Sequence, residues 1–130
     1  MPTWIVDGMN VIGSQPEKRW WADRYGAMEE LARTLRKFRR DGGDEVELFL
    51  DGRSSGRVHG AAGHVAVAFA GGGPNAADRA IVERVKGDAD PGSLTVVSSD
   101  KMLADRARRA GAQVSSSGAF LRLLAARDGR

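Results

Sequence analysis

Short apolar runs and stretches of helical period alternate along the chain. Trp4-Ile5-Val6 is rich in β-branched residues and ends on Asp7-Gly8-Met9-Asn10, which predicts a buried strand handing polar groups to one edge. Val46–Leu50 has the same form and ends on Asp51-Gly52. His64–Ala70 predicts a third strand, Leu94–Val97 a fourth that ends on Ser98-Ser99-Asp100, and Gln113-Val114-Ser115 a shorter, weaker fifth. Between them, Met28, Leu31, Ala32, Leu35 and Phe38 recur at helical spacing and predict an amphipathic helix over Gly26–Arg40.

Three more helices follow from periodicity and punctuation. Asn75 reads as the N-cap of a helix over Ala76–Lys86, with Asp78 in its first turn. A helix over Met102–Ala110 is stopped by Gly111, and a last one spans Phe120–Ala126. Val11–Tyr25 and residues 51–63 read as polar loops, the second too rich in Gly and Ser for a core element. This alternation predicts an α/β sandwich with a mainly parallel central sheet of about five strands and right-handed crossovers. Periodicity does not give the strand order.

With 130 residues and no internal linker, the expectation is one domain spanning 1–130. The absence of cysteine excludes a disulfide framework and a cysteine-liganded zinc site. Together with the lack of a leader-like start or a membrane-length apolar run, it makes a cytoplasmic protein without membrane association the expectation. The formal charge is +3, a mild excess, but most of the cations are Arg, which suits forked contacts with phosphate. A high-GC coding bias enriches Arg as well.

If the strands are parallel, their carboxyl ends face one crevice. Asp7, Asp51 and Asp100 follow three of them, and Asp78 opens the helix after another. Any one of these is also an ordinary turn former or helix cap. Gathered together they would repel one another, and a divalent cation is the natural resolution, because Mg²⁺ and Mn²⁺ take oxygen ligands. Such a site assists hydrolysis of a phosphodiester. Asn10 would orient a carboxylate or a water without adding charge.

The set Val6-Asp7-Gly8-Met9-Asn10, Phe49-Leu50-Asp51-Gly52, Asn75-Ala76-Ala77-Asp78 and Ser98-Ser99-Asp100 resembles the NYN domain family, in particular its bacterial branch of small PIN-like predicted RNA-binding ribonucleases. The resemblance runs through Gly118-Ala119-Phe120-Leu121. It implies a three-layer α/β/α PIN-like fold and Mg²⁺- or Mn²⁺-dependent endoribonuclease activity on RNA. Asp7, Asp51, Asp78 and Asp100 are the implied acidic set, catalytic and metal-holding, with Asn10 and Ser99 in support. Asp105 is a possible outer-shell carboxylate, although five positions from Asp100 turns it well round the helix. The alternative is an RNA-binding module whose PIN-like site is inactive or vestigial. A homodimer, or a ribosome or RNA-processing partner, is an open expectation.

The remaining candidates are weaker. Ser98 and Ser99 read as caps of the next helix, with Ser99 the better substrate contact because it adjoins Asp100. Lys101, Arg53 and Arg57 are candidate phosphate contacts, or solvated cations. Trp20 and Trp21, near Lys18, Arg19 and Arg24, suit base stacking, but covering the sheet edge or a dimer contact is the better reading. His59 and His64 lack metal-ligand spacing. Gly71-Gly72-Gly73 lacks the Gly-Lys-Ser/Thr of a phosphate loop, which excludes that NTPase motif.

Overall fold

A computed structural model describes residues 2–15 and 20–128. The strands are β1 Thr3–Asp7, β2 Glu45–Leu50, β3 Ala66–Phe69, β4 Leu94–Val97 and β5 Gln113–Ser115. All pair in parallel in one sheet of order β3-β2-β1-β4-β5, which puts β1 at the centre. The helices are α1 Gly8–Gly13, α2 Arg24–Gly42, α3 Gly56–Ala62, α4 Ala76–Lys86, α5 Lys101–Arg109 and α6 Ser117–Asp128. No helix among the described residues is long and apolar enough to cross a membrane.

Because successive strand residues point to opposite faces, β1 feeds two cores. Val6 joins Leu48, Leu50 and Val97 under α1, α2, α3 and α6, where Met28, Leu35, Val58 and Phe120 are buried. Ile5 joins Phe49 and Val96 under α4 and α5, against Ile81, Val85 and Leu103. Each such large side chain contributes about 1.5–3 kcal/mol on burial. The result is the expected three-layer arrangement.

Several local expectations give way. Val11 does not begin a loop: α1 starts directly after β1 and buries Val11 and Ile12. Two buried apolar residues in six are too short a pattern to show helical period. Within 51–63, Ser55 accepts a hydrogen bond from the Val58 N–H and caps α3, whose Val58 and Ala62, four apart, are buried in the α2-side core. Helix α2 begins two residues early because the Asp23 side chain accepts from the Gly26 N–H at 3.0 Å. The third strand is shorter than expected, and Asn75, at the head of α4, is left-handed with φ 58° and makes no side-chain cap bond. At the far end of α5, Gly111 at φ 103° closes the helix as expected: its N–H reaches the Arg108 carbonyl while the Ala112 N–H reaches Ala107.

Helix α4 is tied to the sheet by Arg84. Its Nε and Nη2 each lie 2.8 Å from a Glu47 carboxylate oxygen, and its Nη1 lies 2.8 Å from Asp88. This half-buried fork holds the helix that carries Asp78 against β2.

Candidate active site

The parallel register brings the sequence-separated carboxylates to the carboxyl edge of the sheet. Asp7 ends β1 opposite Phe49, two residues before Asp51, and Val6 pairs with Val97, three residues before Asp100. Asp78 lies in the first turn of α4. Asp7 is buried; the other three are partly exposed.

Electrostatics show that the four share one neighbourhood. Burial pushes the Asp7 carboxyl up to about 6, and the negative charges of Asp78 and Asp51 push the same way, against the Ser98 hydroxyl and the Asn10 backbone amide. Asp78 is also raised, first by burial and then by Asp100 and Asp51, with Arg106 opposing. Arg24 Nη2 stands 4.0 Å from Asp51. Arg24 and Arg106 are thus the nearby counter-charges, and sequence reasoning assigned neither to the site. Both lie on helices, α2 and α5, whose orientation over the sheet edge no local pattern reveals.

The supporting hydrogen bonds redistribute the roles expected of the polar residues. Ser98, not Ser99, touches a carboxylate: its Oγ donates to Asp7 Oδ2 at 2.8 Å and accepts from the Asp100 N–H at 3.1 Å. Asp100 itself, rather than either serine, caps α5 by accepting from the Leu103 N–H. Ser99 Oγ accepts from the Ser117 N–H at 3.0 Å. Asn10 Oδ1 accepts from the Ser99 N–H at 2.9 Å and from Ser117 Oγ at 2.6 Å. Asn10 is therefore a clasp joining α1, the end of β4 and the start of α6. Ser117, fully buried, was missed in the sequence. The run Ser115-Ser116-Ser117 before an apolar stretch was the available signal, and Ser116 does cap α6 by accepting from the Ala119 N–H.

Removing the clasp has a measurable cost. Asn10→Ala leaves the buried Ser117 hydroxyl without its acceptor, so a loss of about 1–3 kcal/mol is expected. Urea unfolding of the variant checks this; an unchanged midpoint would show that the clasp carries no stability.

Other expected contacts are placed less favourably. Arg57 pairs with Glu29 of α2 at 2.8 Å. Arg53 and Lys101 are exposed, and the Arg53 carbonyl accepts from the Tyr25 hydroxyl. Asp105 faces Arg108 at 3.5 Å within α5, so its role is local. His59 Nε2 lies 2.9 Å from Ser54 Oγ and its ring rests near Phe69. Trp20 packs against the α2-side core, as a covering residue does, whereas Trp21 is 63% exposed. Lys18 and Arg19, which would flank them, lie outside the described residues.

The donor set, carboxylate oxygens in mutual repulsion, suits a hard divalent cation. Among the described residues, no three acidic or histidine side chains are gathered tightly enough to ligate one ion together. Mg²⁺ does not require such a cage, since it commonly takes one or two carboxylates and keeps several waters. The residues therefore fit the ion by chemistry and charge.

The model of the YacP-like NYN domain matches residues 4–129. The chain belongs to the YacP-like NYN domain family. Membership in the YacP-like NYN family supports a nuclease-type, RNA-related function. Among solved structures, the chain is similar to Rae1 (YacP) from Bacillus subtilis. The W164L mutant of that protein superposes with a TM-score of 0.81 at 24% identity, covering 100% of this chain and 79% of the other. A second structure of Rae1 (YacP) gives 0.75 at 21% identity, covering 100% and 77%. At these identities the likeness to Rae1 establishes the YacP-like fold. No curated protein matches the chain.

Proposed function

We propose that the chain is a metal-dependent endoribonuclease that hydrolyses RNA phosphodiester bonds. The observation that carries the proposal is the mutual repulsion of Asp7, Asp51 and Asp78, with Asp100 acting on Asp78, at one edge of the sheet. Carboxylates held together against their own charge, with Arg24 and Arg106 only at the margins, form a seat for a cation.

Asp7, Asp51, Asp78 and Asp100 would supply the ligands for Mg²⁺ or Mn²⁺, one or two carboxylates binding an ion directly and the others acting through its waters. When bound, the ion neutralises charge on the phosphate and promotes attack by water. The chain's own residues fix the geometry. Ser98 orients Asp7 through its hydroxyl and aligns the backbone of Asp100 through its oxygen. Asn10 holds the loop of Ser99 in place. Lys101 and Arg53, both exposed, are the proposed phosphate contacts, with Ser99 a further substrate contact. Arg57 joins them only by releasing Glu29.

A second reading, an RNA-binding module with an inactive site, draws on the absence of a tight three-ligand group among the described residues. Incubation with a mixed panel of single-stranded and structured RNAs separates the two. The nuclease is expected to cleave with Mg²⁺ or Mn²⁺, to stop in EDTA and to resume when excess metal is restored. RNA binding that persists in EDTA, with no cleavage under any metal, would establish the binding module instead.

A further inference from the structure

A groove of about 640 Å³ lies between α4 and α5, on the face of the sheet opposite α2. Its walls carry Arg79, Lys86, Arg106 and Arg109, all exposed, with Glu83 the single acid and Val82 among the apolar residues beneath. Several cations elsewhere are matched: Arg33 and Arg57 with Glu29, Arg39 with Glu45, Arg108 with Asp105. The four in the groove form no ion pair among the described residues, although Glu83 stands among them. A concavity with four cations and a single acid carries an excess of positive charge and is shaped for an anion brought from outside.

The groove is also connected to the carboxylate edge. Arg79, the residue after Asp78, donates from Nη1 to the Pro74 carbonyl at 2.7 Å, which draws its guanidinium toward the head of α4. From Arg79 to Lys86 the helix advances roughly 10 Å at about 1.5 Å per residue, room for more than one phosphate of a strand. We propose that this groove holds the phosphate backbone of the single-stranded RNA that flanks the scissile bond. The inference rests on the RNA-cleaving reading of the site and extends it to a substrate track. Contacts of this kind position a strand without reading its sequence.

The test is a salt titration of RNA affinity in EDTA, followed by fluorescence anisotropy, with a short oligouridylate that spans only the site and a longer one that extends beyond it. Lys86→Gln/Arg109→Gln changes two cations remote from the carboxylates. For the longer RNA, its slope of log affinity against log salt is expected to be shallower by about 1.4, at about 0.7 per lost contact. Between about 50 and 200 mM salt the wild type then loses roughly sevenfold more affinity than the variant. Affinity for the short RNA, and its cleavage with metal, are expected to stay at the wild-type level. Glu83→Gln is expected to tighten binding of the longer RNA, a gain that misfolding cannot imitate. An unchanged slope in the double variant, no tightening in Glu83→Gln, or equal losses on short and long RNA would overturn the groove assignment and leave the nuclease reading intact. A wild type that neither binds nor cleaves RNA would overturn both.

Discussion

Asp7→Asn is expected to lose RNA cleavage and, in the same protein, to gain thermal stability at neutral pH. The loss follows from removing the buried carboxylate of the proposed cation seat, a contribution of several kcal/mol to the transition state and so on the order of a hundredfold or more in rate. The gain follows from its titration. In the folded chain Asp7 titrates at about 6, raised chiefly by burial, against an ordinary 3.8. The folded state therefore holds the proton more tightly than the unfolded one. The stability this gives the wild type is full below about pH 4 and lost as pH rises through about 6, up to ~3 kcal/mol.

Asparagine has the same shape, carries no charge, and still offers Ser98 an acceptor. Melting curves in EDTA across that pH range should show the variant and wild type diverging between about pH 4 and 6, with the variant ahead at neutral pH. Added Mg²⁺ or Mn²⁺ should raise the wild type and narrow the gap. Wild-type cleavage by the variant would remove Asp7 from the catalytic set. A neutral-pH midpoint below that of the wild type would show that Asp7 is not held against its charge.

Gly8→Ala is the second large effect, and its sign separates two physical accounts. Helix propensity alone predicts stabilisation, since Ala is favoured over Gly in a helix by about 1 kcal/mol. Packing predicts the reverse. A Cβ at Gly8 would lie 2.5 Å from Leu50 Cδ2, 2.9 Å from Leu48 Cδ1 and 2.9 Å from the Phe49 carbonyl oxygen. The leucine methyls can turn aside, but the carbonyl belongs to the β1–β2 ladder and cannot. Overpacking of this kind costs about 1–3 kcal/mol or more, so a net loss is expected in urea unfolding. Relief of the clash would also displace α1 and with it Asn10, so cleavage should fall as well. A stabilised Gly8→Ala would show that α1 has slack against β2.

One part of the site was legible in the sequence and another was not. Asp7 ends a strand and Asp51 and Asp100 follow closely after two others, so once the strands were read as parallel their common edge followed from topology alone. Asp78 followed from its place in the first turn of α4. The clasp of Asn10, Ser99 and Ser117 spans up to 107 positions and depends on where α6 docks, which no local period records. Short helices were lost for a related reason. With Val11 and Ile12 as the buried residues of α1 beside Gly8, or Val58 and Ala62 in α3, burial is complete but the pattern is too brief to declare its period. Arg24 figured in the sequence only as a cation beside the tryptophans and Arg106 not at all, because their role depends on which carboxylate lies across from them.

The central place of β1 has a consequence for synthesis. Its first neighbour, β2, follows some forty positions later, but Ser98, which holds Asp7, lies 91 residues downstream of it. Parallel pairings of such long separation form late. A nascent chain that has already made Asp7, Asp51 and Asp78 still lacks Ser98 and Asp100 until β4 has been translated. On the proposed reading, a translation product interrupted before β4 would carry three of the acids without the rest of the site.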